Sequence, residues 1–343
     1  MIPIQNIYYM LAYAFRILQT KEYQKMATEP FHNTAELCTA LLLTGIATQC
    51  KKGLYQTYQP QKQPLSVLKG KIDATASFQT QSIAKKQLVC QYDDFSINTY
   101  PNRILKSTML LLLKANITNT RKKALRKYLV YFQNVDTLHI HNIHWHIPYH
   151  RNNQTYRMLL GICYLVVKGL LQTNANGSIT FMDFFDTQQM HRLYEKFVFC
   201  YYKQEFPQLN VTASQIAWQV DDGFCNMLPT MQTDIMLRYK NQCLIIDTKY
   251  YAQNMQTRFD TQKIHAHHLY QIFAYVKNQA AATPQNTISG MLLYAKTEAQ
   301  MQPHAVYHMG GNQISVKTLD LYCHFSEIAK QCNQIVWEHF GKL

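Results

Sequence analysis

The sequence predicts an α+β N-terminal domain, helices with a small β-sheet or open barrel, followed by an α/β domain. Three observations carry this. The chain has 343 residues, more than one domain usually holds. Apolar residues recur at helical spacing in the first part and give way to short β-prone pieces between residues 53 and 97. Beyond residue 190 helical and strand patterns follow one another in the order of a sheet backed by helices. The polar run Asn174-Ala175-Asn176-Gly177-Ser178 sets the boundary, giving domains 1–173 and 174–343.

Ile4, Ile7, Tyr8, Leu11, Phe15 and Leu18 share one helical face, and Pro3 stands where a helix start tolerates it. A second helix is predicted over 34–49 with Thr34 as its N-cap. The β-prone pieces, 54–58, 72–78 and 87–92, are separated by Gly-, Pro- and Gln-rich turns. Helices resume at 102–114 and 120–132. The second carries Arg121, Lys122, Lys123, Arg126 and Lys127, either a solvated face or a contact with phosphates or an acidic partner. The most apolar run, 158–171, is too short to span a bilayer and contains Lys168, so a core helix is predicted over about 155–171. The second domain reads as a helix over 191–206, strands over 233–237 and 243–247, a helix over 266–276 and a strand over 290–294. A terminal helix follows, with Ile328, Cys332, Ile335, Val336 and Phe340 on one side.

Hydrophobic residues make up 47% of the chain and charged residues 16%, which excludes a disordered polymer. Lys and Arg outnumber Asp and Glu by 34 to 20, a formal charge of +14. That surplus suits a polyanionic partner, nucleic acid or an anionic membrane surface. The membrane reading weakens without a spanning segment. The N-terminus shows no basic region before an apolar stretch and no cleavage site, so no signal peptide is expected. Nine cysteines are scattered with no C-x-x-C pair. They read as reduced, buried thiols of a cytoplasmic protein.

The most informative stretch is Thr233-Asp234-Ile235-Met236-Leu237, a short turn, then Cys243-Leu244-Ile245-Ile246-Asp247-Thr248-Lys249. The apolar run delivers Asp247 to a strand end. Strand alternation places Asp247 and Lys249 on one face with Thr248 facing away. Asp234, at the start of the neighbouring hairpin strand, adds a second carboxylate. Two carboxylates on adjacent strands make an oxygen-rich site for a hard cation such as Mg²⁺, which keeps waters for exchange with phosphate oxygens. The lysine is then placed to orient or deprotonate a water, or to offset charge developing at phosphorus.

This D-x12-D-x-K spacing resembles the PD-(D/E)xK nuclease superfamily. Gln271 and Tyr275, four apart on the next helix, resemble its Q-x-x-x-Y element, which contacts DNA or supports the site. Glu195, in Leu193-Tyr194-Glu195-Lys196-Phe197, resembles the acidic residue contributed by an earlier helix; as a plain sequence feature it also reads as a solvated charge beside Lys196. The resemblance narrows further. Ile2-Pro3-Ile4-Gln5-Asn6-Ile7-Tyr8-Tyr9-Met10-Leu11-Ala12-Tyr13-Ala14 is similar to the opening of McrC proteins, nuclease subunits of McrBC modification-dependent restriction systems. So are Leu68-Lys69-Gly70-Lys71-Ile72, the block from Asn98-Thr99-Tyr100-Pro101-Asn102-Arg103 to Thr108, Met182-Asp183-Phe184-Phe185, and Leu228-Pro229 leading to Asp234.

The resemblance implies an N-terminal part, here 1–173, that docks into a ring of an McrB-like AAA+ GTPase and stimulates its GTP hydrolysis. It implies a C-terminal PD-(D/E)xK restriction-endonuclease-like domain, here 174–343, that cuts double-stranded DNA carrying modified bases with Mg²⁺. Asp234, Asp247 and Lys249 match the catalytic positions, with Asp234 and Asp247 as metal ligands. Glu195 and Gln271 are supporting candidates, and Gln271 and Tyr275 are candidate nucleic-acid contacts. Thr233 stands where the superfamily name has proline, a feature McrC proteins share. No Walker A motif is present, which places the NTPase in another chain.

His139, His141, His144 and His146 invite a zinc reading, but they alternate with apolar residues like a two-faced strand and lack closed ligand spacing. His265, His267 and His268 read either as phosphate contacts or as an ordinary helix start. The rival to the nuclease reading is a non-catalytic adaptor that activates a ring NTPase or binds DNA. Metal-dependent plasmid cutting separates the two.

Overall fold

The apolar stripe at the start of the chain folds into α1 (Ile4–Phe15), with Ile7, Leu11 and Ala14 buried. In the computed structural model, which describes residues 2–15, 29, 31–149, 153, 156–169, 171–173, 179–181, 187–223, 225–251, 255–258 and 261–343, this helix belongs with the C-terminal part. Two units separate, one of Asn33–Phe184 and one of Met1–His32 with Phe185–Leu343. Residues 1–32 thus group with the C-terminal segment, apart from Asn33–Phe184. The reason is side-chain chemistry: Asn6 Nδ2 donates to the Leu321 and Cys323 carbonyls at 2.8 Å, and Tyr9 stacks on Phe325 with ring centroids 4.1 Å apart. Satisfying buried backbone carbonyls through Asn6 ties the helix to a segment 315 residues away, which no local pattern reveals.

In the unit of residues 33–184, α2 (Thr34–Lys52) is capped by Asn33, whose side chain accepts from Glu36 N at 2.8 Å. The cap is therefore one residue earlier than predicted, and Thr34 is buried. Strands β1 (Thr57–Leu65), β2 (Lys71–Ile72) and β3 (Leu88–Ser96) form an antiparallel sheet in the order β1-β3-β2. The piece predicted as a strand over 72–78 is mostly helix, α3 (Ala74–Gln79). Asp73 accepts from Ala76 N at 2.9 Å, and this cap outweighs the β-prone composition. Then come α4 (Tyr100–Leu112), α5 (Asn119–Leu129) and α6 (Tyr156–Tyr164). The predicted core helix ends early, turning π-helical over Leu165–Gly169 before β4 (Leu171–Thr173), which pairs with β5 (Ile179–Phe181).

The Asn98–Thr108 block is structural here. Buried Asn102 donates to the Tyr55 and Ile97 carbonyls at 2.8 and 2.7 Å and accepts from the Tyr156 hydroxyl at 2.8 Å, joining α4, α6 and the entry to β1. The histidine run is not a strand: it holds one 3-10 turn over Ile140–Asn142, and His139, His141, His144 and His146 are exposed. Alternation without a neighbouring strand has no ladder to join. The break at 174–178 and the block at 182–185 lie outside the described residues.

The second unit is a mixed sheet with helices. After α7 (Thr187–Glu205) come β6 (Asn210–Thr212), β7 (Gln215–Ile216), β8 (Met231–Gln232), β9 (Ile235–Tyr239) and β10 (Gln242–Lys249). They are followed by β11 (Met255–Arg258), β12 (Thr261–Ile264), α8 (Ala266–Ala282), β13 (Thr287–Ala295), β14 (Ala305–Met309), β15 (Asn312–Leu319) and α9 (Phe325–Phe340). The six-stranded order is β14-β15-β13-β10-β9-β6, with β10, β13 and β15 mutually parallel and β9 antiparallel to β10. Helix α8 is the crossover between parallel β10 and β13.

One face of this sheet, with Met236, Ile245, Leu292, Ile314 and Val316, packs on Ile272 and Val276 of α8. Side chains of the other parity, among them Leu237, Leu244, Ile246 and Leu293, are buried as well. There the Tyr194 hydroxyl of α7 donates to the Leu293 carbonyl, and Tyr201 donates to Asn333 of α9. Gly290 lets α8 sit against the sheet: a Cβ at that position would meet Val276 Cγ2 at 2.7 Å and Ile272 Cγ1 at 2.8 Å. Gly290→Ala is expected to force α8 outward at a cost of about 1–3 kcal/mol, readable by urea unfolding, and to weaken every contact that α8 makes with the end of β10. Among the described residues no helix is long and apolar enough to cross a membrane. No disulfide forms among the nine cysteines.

Candidate functional site

The carboxyl end of β10 gathers the predicted residues. Asp247 and Lys249 project to the same face, as alternation requires, and Lys249 Nζ stands 2.6 Å from Asp247 Oδ2. Both are buried, with 2% and 7% exposure. Lys249 Nζ also donates to Gln271 Oε1 of α8 at 3.0 Å, Gln271 Nε2 donates to the Tyr275 hydroxyl at 3.0 Å, and that hydroxyl donates to the Gln232 carbonyl at 3.1 Å. The chain has one direction. A carbonyl only accepts, so the Tyr275 proton is committed to Gln232, its lone pair receives the Gln271 amide, and the Gln271 oxygen must face the lysine.

Asp234 lies just before β9, beyond the last ladder pair Ile246↔Ile235. Its Oδ2 accepts from Thr248 N at 2.7 Å and Thr248 Oγ1 at 2.8 Å. Thr248 does face away from Asp247 and Lys249, yet it holds the other carboxylate in place. Alternation finds the first fact and not the second, because Asp234 has left the ladder and is free to turn toward the neighbouring strand. Thr233, next to Asp234, donates through Oγ1 to the Ser214 carbonyl at 2.9 Å.

Electrostatics mark the cluster as crowded with negative charge. Burial pushes the Asp247 carboxyl up to about 6, opposed by Lys249 and assisted by Asp234. Burial, then repulsion from Asp234 and Asp247, pushes Glu195 of α7 up to about 7. Glu195 is half-buried and feels both carboxylates, so it is not a solvated surface charge. Burial also lowers His191, one helical turn earlier, which feels Asp234 and Lys249. His267 is exposed, while buried His268 shares a 2.7 Å hydrogen bond with Tyr294, the register partner of Lys249 on β13, and is held at about 3 by burial and by Lys249. The sequence did not single out Thr248 or the His268–Tyr294 pair as site-building residues; both depend on neighbouring strands.

The donor set suits a hard cation that keeps most of its waters. Asp247 is buried with the Lys249 ammonium on its Oδ2, and a carboxylate that accepts from one donor keeps lone pairs for a cation. Among the described residues no three of His, Cys, Asp and Glu stand in a metal-binding arrangement. Among the described residues the closed cage expected of structural zinc or calcium sites is thus missing, and a pair of carboxylates matches what Mg²⁺ takes from proteins. In the other unit, Arg121 is committed to its own fold, 3.1 Å from Glu36 Oε1.

A family model described as "McrBC 5-methylcytosine restriction system component" matches residues 5–295. The chain belongs to that family. A relative from Escherichia coli (strain K12), described as "Type IV methyl-directed restriction enzyme EcoKMcrBC", is 28% identical over 326 residues, 93% of each chain. Among solved structures, the half-complex from a tetradecameric assembly of Thermococcus gammatolerans McrB AAA+ hexamers with bound McrC matches with a TM-score of 0.51 at 15% identity, over 97% of this chain and 76% of that one. At that identity the likeness speaks for the fold. The McrBC family match begins in α1 and ends with β13, so it spans both units and includes every carboxylate of the site.

Proposed function

We propose that this McrBC-family chain is the DNA endonuclease subunit of a GTP-dependent restriction complex. It cuts duplex DNA carrying modified, methylated cytosine and stimulates an McrB-like AAA+ GTPase ring. The observation that carries the reading is the buried Asp247–Lys249 pair, facing Gln271 and flanked by Asp234 and Glu195, at the carboxyl end of a central strand. A decayed adaptor has no reason to keep a buried lysine oriented by a three-residue relay; burial of charge costs several kcal/mol per ion unless it is used or well paired.

In this reading the second unit is a PD-(D/E)xK domain. Asp234 and Asp247 hold Mg²⁺, which when bound supplies Lewis acidity at a phosphate oxygen and lowers the pKa of a water. Thr248 locks the Asp234 carboxylate, and Gln271, itself locked by Tyr275, keeps the Lys249 ammonium aimed at the space beside Asp247. Lys249 orients the attacking water or offsets negative charge on phosphorus. Glu195, raised to about 7, holds or releases a proton near neutrality. Gln271 faces Lys249 and Tyr275 is buried, so both support the site from behind. Their proposed DNA contact is confined to the partly exposed side of Gln271.

The test is cleavage of plasmids with and without cytosine methylation, by this chain assembled with its GTPase partner. Cutting is expected only of the methylated plasmid and only with GTP. Equal cutting of both plasmids, or cutting without the partner, contradicts the reading.

A further inference from the structure

Helix α5 carries five basic residues and uses one of them for its own packing. Arg121 pairs with Glu36, which is 1% exposed and whose Oε1 also accepts from Thr118 N at 3.0 Å. This buried carboxylate neutralises Arg121 and fixes the start of the helix. Leu125 is the only residue of α5 that is fully buried. Lys122, Lys123, Arg126 and Lys127 remain, spaced i, i+1, i+4 and i+5 and so neighbours on one side of the helix. Lys123, Arg126 and Lys127 are exposed, and among the described residues none of the four pairs with a carboxylate.

The same unit offers a surface of opposite chemistry. On the small sheet, Tyr58 and Phe95 are 71% and 56% exposed and face each other across β1 and β3, with Val67, Leu68 and Phe78 also exposed on this unit. Exposed aromatic and aliphatic side chains are what protein interfaces use, and lysine is depleted from their cores. Within residues 119–129 no large apolar side chain is exposed; Val130 and Tyr131, at 58% and 53%, lie beyond the helix end. From Lys122 to Lys127 the helix rises about 7.5 Å, which spans roughly two phosphates of one strand at one per ~3.4 Å of axis, with long side chains reaching further ones.

We propose that the face of α5 formed by Lys122, Lys123, Arg126 and Lys127 is a duplex-DNA backbone-binding surface, carried by a different unit from the carboxylates. It reads phosphate charge and not sequence. It rests on the reading that the complex acts on DNA, and supplies a hold on the duplex outside the cutting site.

The experiment uses the full-length chain, an unmodified 30-base-pair duplex and EDTA, so that cutting plays no part. The wild type is expected to bind weakly and with steep salt dependence. The triple variant Lys123→Gln, Arg126→Gln, Lys127→Gln spares Arg121 and the buried contacts. It should bind about tenfold more weakly near 0.1 M salt, with a log–log salt slope shallower by about 3. Stimulation of GTP turnover in the partner ring should be unchanged. Unaltered affinity and slope overturn the proposal. Loss of GTPase stimulation with intact DNA binding overturns it too, and assigns the face to an acidic protein surface. Failure of the nuclease reading registers elsewhere, as a wild-type complex that leaves plasmid uncut in Mg²⁺.

Discussion

Asp247→Asn is expected to drop plasmid cutting by the assembled complex to background, a loss of at least about a thousandfold, since losing metal-assisted charge stabilisation removes several kcal/mol and each 1.4 kcal/mol is a factor of ten. Asparagine is the informative replacement. Asp247 is buried against Lys249, so alanine would leave both a void and an ammonium without its nearest partner. The amide keeps the volume, and Lys249 retains Gln271 as an acceptor. Near-UV circular dichroism of the variant should match the wild type. Undiminished cutting removes Asp247 from the active site.

Cutting should run with Mg²⁺ or Mn²⁺ and stop with Ca²⁺ or EDTA, because calcium binds carboxylates with longer bonds and looser geometry and activates water poorly. The same carboxylates make stability depend on metal and pH together. In the metal-free fold Asp247 is raised to about 6, above an unfolded value of ~3.9. A raised carboxyl contributes stability that is fully present below the unfolded pKa and is lost as pH rises through the folded one. For Asp247 that loss falls between about pH 4 and pH 7. Glu195, raised to about 7, shifts in the same direction. Mg²⁺ should therefore raise the thermal midpoint clearly at pH 8 and hardly at pH 4.5. A metal-independent midpoint at pH 8, with cutting intact in EDTA, would sink the metal reading.

Much of the site was legible because it obeys short periods. Alternation in an apolar strand puts Asp247 and Lys249 together, and helical spacing brings Gln271 and Tyr275 to one face of α8. What escaped depends on chain crossings. Thr248 matters only because Asp234 leaves its ladder, and His268 matters only because Tyr294 is the cross-strand partner of Lys249. The grouping of α1 with the C-terminal unit follows from Asn6 finding carbonyls near the other end of the chain. Two local errors have local causes. The aromatic and β-branched texture of 72–78 was overruled by the Asp73 cap, and the alternating histidine run had no strand to pair with.

The division of labour between the two units is the central claim, and one reaction tests it: GTP turnover and plasmid cutting measured together for Asp247→Asn assembled with the GTPase ring. The carboxylate sits in the unit of Met1–His32 with Phe185–Leu343, whereas most of the N-terminal part that the McrC resemblance assigns to ring docking lies in Asn33–Phe184. The account predicts full stimulation of GTP hydrolysis with no cut plasmid. A folded variant that loses GTPase stimulation along with cutting would contradict it.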